Sequence, residues 1–170
     1  WSWSPYSCAG TAIVHDGILS VDCAHANTNA YYDPGHALEA RVTFKNDISQ
    51  HFGYGTNYSQ GPWAIFSTYT TSTSIYARTN VTADTTDDQN TLIAGITPGT
   101  PHNYKVDWQA GHVDYYVDGN LVATHNWSGN LQMRPVIGES YLNGLTLDTD
   151  WLVMGPYASS GTFDSRIFDA

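Results

Sequence analysis

Six side chains between residues 51 and 139 hold most of the chemistry open to this sequence: His51, Trp63, Tyr76, Arg78, Arg134 and Glu139. A pyranose ring has apolar C–H faces that stack on aromatic rings, and hydroxyls that need polar partners. Trp63 and Tyr76 with His51, Arg78 and Arg134 have that composition, which makes them candidate ligand-binding residues for a sugar. If the chain is an enzyme, His51, Tyr76 and Glu139 are the candidate catalytic groups, because each type gives or takes a proton. A lyase would use His51 or Tyr76 as base, with Arg78 or Arg134 neutralising a uronate. A hydrolase would use Glu139 with a partner that the sequence does not place. Each residue also has a plainer reading: Trp63 as core packing, His51 as a satisfied or exposed histidine, and the arginines as surface or ion-paired side chains.

Other chemistries find less support. The histidines at 15, 25, 36, 51, 102, 112 and 125 show neither HxH nor HxxxH spacing, so a transition-metal site is not indicated. No nucleophile-elbow motif occurs. The chain has only two Glu, Glu39 and Glu139, far apart in sequence.

The elements that must position these residues are strands. The clearest unit runs from His102 to Asn126. Tyr104, Val106 and Trp108 alternate with Asn103, Lys105 and Asp107, which is strand period. After a turn at Ala110-Gly111, Val113, Tyr115 and Val117 alternate in the same way. Asp118-Gly119-Asn120 is a hairpin turn signal, because the favoured two-residue turn needs positive φ. Leu121 to His125 returns, so the unit is a three-stranded meander. Ala37 to Lys45 reads as a strand with Leu38, Ala40, Val42 and Phe44 facing in. In Gln50 to Gly55, Phe52 and Tyr54 share one face, while His51 shares the other with Gly53 and Gly55. A glycine inside a strand marks close approach by a ligand or another backbone. Further strands are predicted at Gly17–Cys23, Trp63–Thr68, Ser74–Thr79, Asn130–Gly138 and Leu145–Met154. Residues 24–36 read as an Asn-rich connection, and residues 82–90 as an acidic, solvated loop. Residues 1–16 form an N-terminal arm, and residues 158–170 a tail or last edge strand of a single domain, 1–170.

The meander carries a resemblance. Tyr-x-Val-x-Trp, a short turn, Val-x-Tyr-Tyr-Val-Asp-Gly and a return strand resemble the back sheet of the concanavalin A-like lectin/glucanase superfamily, which includes laminarinase-like and laminin-G-like proteins. Leu147-Asp148-Thr149-Asp150-Trp151-Leu152-Val153 resembles its closing strand. The resemblance implies an all-β fold, an antiparallel β-sandwich of jelly-roll type with one sheet concave and open. Laminarinase-type hydrolases carry Glu-x-Asp-x-x-Glu on one strand, placing two carboxyl groups about 5 Å apart. The strand aligned by order, Trp63-Ala64-Ile65-Phe66-Ser67-Thr68, has no carboxylate. The resemblance also implies a structural Ca²⁺, with Asp150 as a metal ligand beside backbone carbonyls. No cofactor for chemistry is expected.

Composition narrows the partner. The 170 residues include twelve Tyr and six Trp, and carry a formal charge of −10. That charge argues against nucleic acid and anionic membrane as partners, since both need basic patches. A polysaccharide or glycan is the expected partner, with a neutral one the easier class. Cys8 and Cys23 are expected to form one disulfide. Asn57, Asn80 and Asn126 each open an N-glycosylation sequon. Disulfide, sequons and chain start together point to a secreted, extracellular protein, either a mature form or an excised domain. The leading expectation is a lectin-like or carbohydrate-binding module. The alternatives are a polysaccharide-cleaving hydrolase or lyase, and a structural or assembly subunit.

Overall fold

The computed structural model describes residues 1–56, 60–69, 71, 73–84, 86 and 89–156. They form strands β1 (Ser2–Pro5), β2 (Thr11–His15), β3 (Ile18–Asp22), β4 (Ala24–Asn27), β5 (His36–Thr43), β6 (Gln50–Gly55) and β7 (Trp63–Ser67). The second half continues with β8 (Tyr76–Asn80), β9 (Gln89–Leu92), β10 (His102–Trp108), β11 (His112–Val117), β12 (Asn120–Asn126), β13 (Arg134–Glu139) and β14 (Leu147–Pro156). Two seven-stranded antiparallel sheets result. The front sheet has the order β1-β4-β13-β6-β7-β8-β9, and the back sheet β12-β11-β10-β5-β14-β3-β2. Among the described residues no helix is long and apolar enough to cross a membrane.

The meander folds as its alternation dictates. Val117 pairs with Asn120, and Asp118 and Gly119 between them take φ of 49° and 80°, the positive values that a tight hairpin turn needs. Tyr104, Val106, Trp108, Val113 and Tyr115 point inward and are buried. They meet the apolar face of the front sheet. Phe66 lies edge-on to Tyr104 and Tyr115, with centroids 4.9 and 5.2 Å away, and Tyr54 packs on Trp108. Such aromatic pairs add about 0.5–1.5 kcal/mol each beyond area burial.

A polar stitch crosses this core. Thr79 Oγ1 lies 2.7 Å from Tyr115 Oη and 2.8 Å from His125 Nδ1, and Thr91 Oγ1 lies 2.8 Å from His125 Nε2. The Tyr115 hydroxyl also donates to the Arg78 carbonyl at 2.8 Å. Buried polar groups stay only when bonded in this way. The stitch ties β8, which carries Arg78, to the back sheet.

Three elements differ from the sequence expectation. The N-terminal arm enters both sheets, as β1 paired to β4 and β2 paired to β3. The Asn-rich connection contains β4, and the acidic loop ends in β9. Each is four or five residues long, too short for periodicity to stand out. The tail at 158–170 lies outside the described residues.

Candidate functional site

Strand alternation decides what the outer face of the front sheet carries. With Phe52, Tyr54, Ala64, Phe66 and Ala77 committed to the core, their neighbours point the other way. Cross-strand register lines them up in rows. His51 pairs with Ser67, which pairs with Tyr76; on the other side His51 pairs with Gly138, which pairs with His25. The next row runs Asn27, Val136, Gly53, Ile65, Arg78 and Asn90. A third holds Arg134, Gly55, Trp63 and Asn80. None of the described residues that alternate onto this face is Asp or Glu. The three positions that β7 offers to it are Trp63, Ile65 and Ser67. Gly53 answers to a backbone rather than a ligand: at φ 150° any Cβ there would run into the Ala64 carbonyl oxygen, so glycine lets β6 and β7 approach.

The five expected ligand-binding residues thus share one face. His51, Trp63 and Arg78 are buried in it, and Tyr76 and Arg134 are half-buried. The sheet is therefore less open than expected. Trp63, expected as a stacking surface, is only 4% exposed; the Arg78 guanidinium lies 5.7 Å from its ring centre. The same guanidinium lies 3.8 Å from the Tyr69 ring centre, and Tyr69 meets Tyr76 edge-on. At the other end Tyr31 stacks on Arg134 at 4.9 Å. Arg134 donates from Nη1 to the Thr28 carbonyl and from Nη2 to that of Thr56. Among the described residues, Tyr31 and Tyr69 are the exposed rings beside these arginines, at 44% and 37%.

Three polar groups form a chain at the centre. Arg78 Nη1 donates to Ser67 Oγ at 3.3 Å, and Ser67 Oγ lies 2.8 Å from His51 Nδ1. Burial, with the Arg78 charge beside it, pushes the His51 imidazole down to about 3. Both causes penalise imidazolium, so His51 is neutral at physiological pH. His25 is lowered too, by burial and then by the charge of Arg134.

Glu139 does not join this site. It pairs with Gln50 and Ala24 rather than with His51, so it points to the opposite side of the sheet. It is fully buried, and its carboxylate accepts from the backbone N–H of Cys23 and Tyr141, both at 2.7 Å. Burial raises it to about 7 against those two bonds. Its candidacy as a catalytic acid is corrected: it is a peg beneath the disulfide corner. Asp150 lies exposed in a bulge of β14 between Thr149 and Leu152. Calcium takes six to eight oxygen ligands. Among the described residues no three His, Cys, Asp or Glu side chains gather to hold a metal, so Asp150 does not by itself make up a calcium donor set.

Cys8 and Cys23 are disulfide-bonded, with Cα atoms 6.1 Å apart. Asn80 corrects one glycosylation expectation. It is fully buried, and its amide nitrogen donates to the Thr86 carbonyl and the Asp84 carboxylate, which leaves no room for a glycan. Asn126 is exposed; Asn57 lies outside the described residues. Sequence reading missed Tyr31, Tyr69, His25 and Asn27, which sit in connections or on the short β4. The available signal was an aromatic residue flanking a strand end.

Residues 63–137 match the family model described as Glycosyl hydrolases family 16. None of the curated proteins matches the chain. Among solved structures, a Crh5 transglycosylase in complex with NAG is similar at 17% identity and a TM-score of 0.64, over 92% of this chain and 79% of that one. A Bacillus licheniformis β-glucanase is similar at 18% identity and a TM-score of 0.56, over 83% and 78%. A toad ovary galectin complexed with thio-digalactose is similar at 11% identity and a TM-score of 0.53, over 77% and 98%. At these identities the likeness is one of fold, and one fold hosts hydrolases, transglycosylases and lectins alike. Two antiparallel seven-stranded sheets around one aromatic core are the fold that this chain shares with these neighbours.

Proposed function

We propose that this chain recognises a polysaccharide on the outer face of its front sheet and does so without cleaving it. The observation that carries the reading is the make-up of that face: Tyr31, Tyr69 and Tyr76 set around Arg78, Arg134 and His51, with no Asp or Glu among the described residues that the strands turn to it. Aromatic rings offer stacking surfaces for pyranose C–H faces, and the guanidinium groups, each held under a tyrosine, offer fixed donors to hydroxyls. A retaining hydrolase needs two carboxyl groups astride the bond. A base is most effective with a pKa near the working pH, and His51 at about 3 is far below it. The disulfide and the exposed Asn126 support a secreted setting.

A second reading, a polysaccharide-processing enzyme, is favoured by the family 16 match and by the hydrolases and transglycosylases among the neighbours. It would rest on Tyr76 or His51 as base with Arg78 as the cation, in a lyase. Affinity electrophoresis through a panel of polysaccharides tests the binding reading. Retention of the wild type that Tyr76→Ala weakens supports it, and the absence of retention on every polymer sinks it.

A further inference from the structure

The two sheets part at the edge formed by β1 and β2. There the inter-sheet space opens into a groove of about 630 Å³. Ala26 and Ile137 are buried in its floor, and Trp1, Trp3 and Val14 stand on its rims with half or more of their surface exposed. Trp151 and Asp150, from the bulge of β14, and Thr149 beside them also line it, with Leu19 and Leu152 among the remaining residues.

We propose that this groove is a second carbohydrate site, which takes a pyranose stretch of a polysaccharide. It rests on the proposed function only for the class of ligand. Indoles give the largest stacking surface of any side chain, and Trp3 holds one half-exposed on a four-residue edge strand. Polar groups are few and placed, as a sugar site requires. Thr149 is 4% exposed and lines the groove, and its hydroxyl has no hydrogen-bond partner. Asp150 presents an exposed carboxylate at the same point. A hydrocarbon ligand would leave that hydroxyl unpaired and desolvate the carboxylate, both costly; sugar hydroxyls satisfy both. Strand β1, the edge of the front sheet, also lines the groove. Strand β1 pairs Ser2 and Ser4 with Asn27 and His25 of the outer face, and its Ser2 and Trp3 line the groove. A glycan crossing the strands of the front sheet enters the groove by turning over this one edge strand.

The test is affinity electrophoresis of the whole chain through gels containing β-glucan, glycol chitin or carrageenan. Trp3→Ala, Trp151→Ala and Tyr76→Ala are compared with wild type, and melting curves confirm folding. Trp3→Ala and Trp151→Ala should each weaken retention on the retaining polymer by about tenfold, the size of one lost stacking contact. Trp3→Phe, which keeps a ring, should recover part of it. Retention lost in Tyr76→Ala but unchanged in both groove variants overturns the groove and leaves the proposed function standing. The converse pattern keeps the groove and overturns the other face. No retention of wild type on any polymer overturns both. A concentration-dependent dimer, abolished by Trp3→Ala in sedimentation, would assign the groove to a second copy and overturn the sugar site.

Discussion

Ser67 Oγ lies 2.8 Å from His51 Nδ1 and accepts a hydrogen bond from Arg78. The serine stands on β7, which turns Trp63, Ile65 and Ser67 to the outer face. A hydroxyl between a guanidinium and a neutral imidazole holds both side chains in place.

That arrangement predicts acid sensitivity. His51 is lowered from an ordinary value near 6.5 to about 3 in the folded chain. The folded state therefore binds fewer protons than the unfolded one, and the contribution of His51 is present above pH 6.5 and lost as pH falls toward 3. Glu139 acts with the opposite sign. Its folded value, raised to about 7, gives a contribution that is present below about 4.5 and lost as pH rises through 7. Melting temperature followed from pH 3 to 8 separates them. His51→Gln should flatten the acid limb, and Glu139→Gln should remove the loss between pH 4.5 and 7. A His51→Gln profile that parallels the wild type would show that the imidazole is not held neutral.

The disulfide predicts a second result. Closing a loop of fifteen residues between Cys8 and Cys23 is worth about 3 kcal/mol through the unfolded chain. Reduction should lower the denaturant midpoint accordingly. Alkylation of both thiols without prior reduction would count against the bond.

Burial separates the aromatics of the site. Trp63 is enclosed, whereas Tyr69 is exposed over Arg78. Trp63→Ala should act on stability, by about 3–5 kcal/mol as buried aromatic truncations do. Tyr69→Ala should leave the melting temperature within a few degrees of wild type and weaken glycan retention. Calorimetry alongside affinity electrophoresis checks both; equal stability losses in the two variants would contradict the assignment.

Much of this arrangement was legible in the residues. Alternation in Gln50–Gly55 put His51, Gly53 and Gly55 on one face, and the structure keeps them there. The meander followed from its period and the Asp118-Gly119 turn. Glu139 was misassigned because a strand's parity is visible in sequence only when its neighbours alternate; Pro135, Val136, Ile137 and Gly138 are all buried. Exposure was the other gap. Trp63 meets Arg78, one strand away, and Arg78 in turn meets Tyr69, in the connection between β7 and β8. No local pattern encodes that contact. Tyr31 reaches Arg134 across an equally non-local path.

Recognition without cleavage has a direct chemical readout. Prolonged incubation of the wild type with a polysaccharide that retains it, followed by analysis for new reducing ends and for unsaturated ends absorbing in the ultraviolet, tests it most directly. A polymer of unchanged length, with no new ends of either kind, is the expected result. Reproducible release of oligosaccharide, abolished in His51→Ala or in Tyr76→Phe, would contradict it and make the chain an enzyme, a lyase if the products carry double bonds.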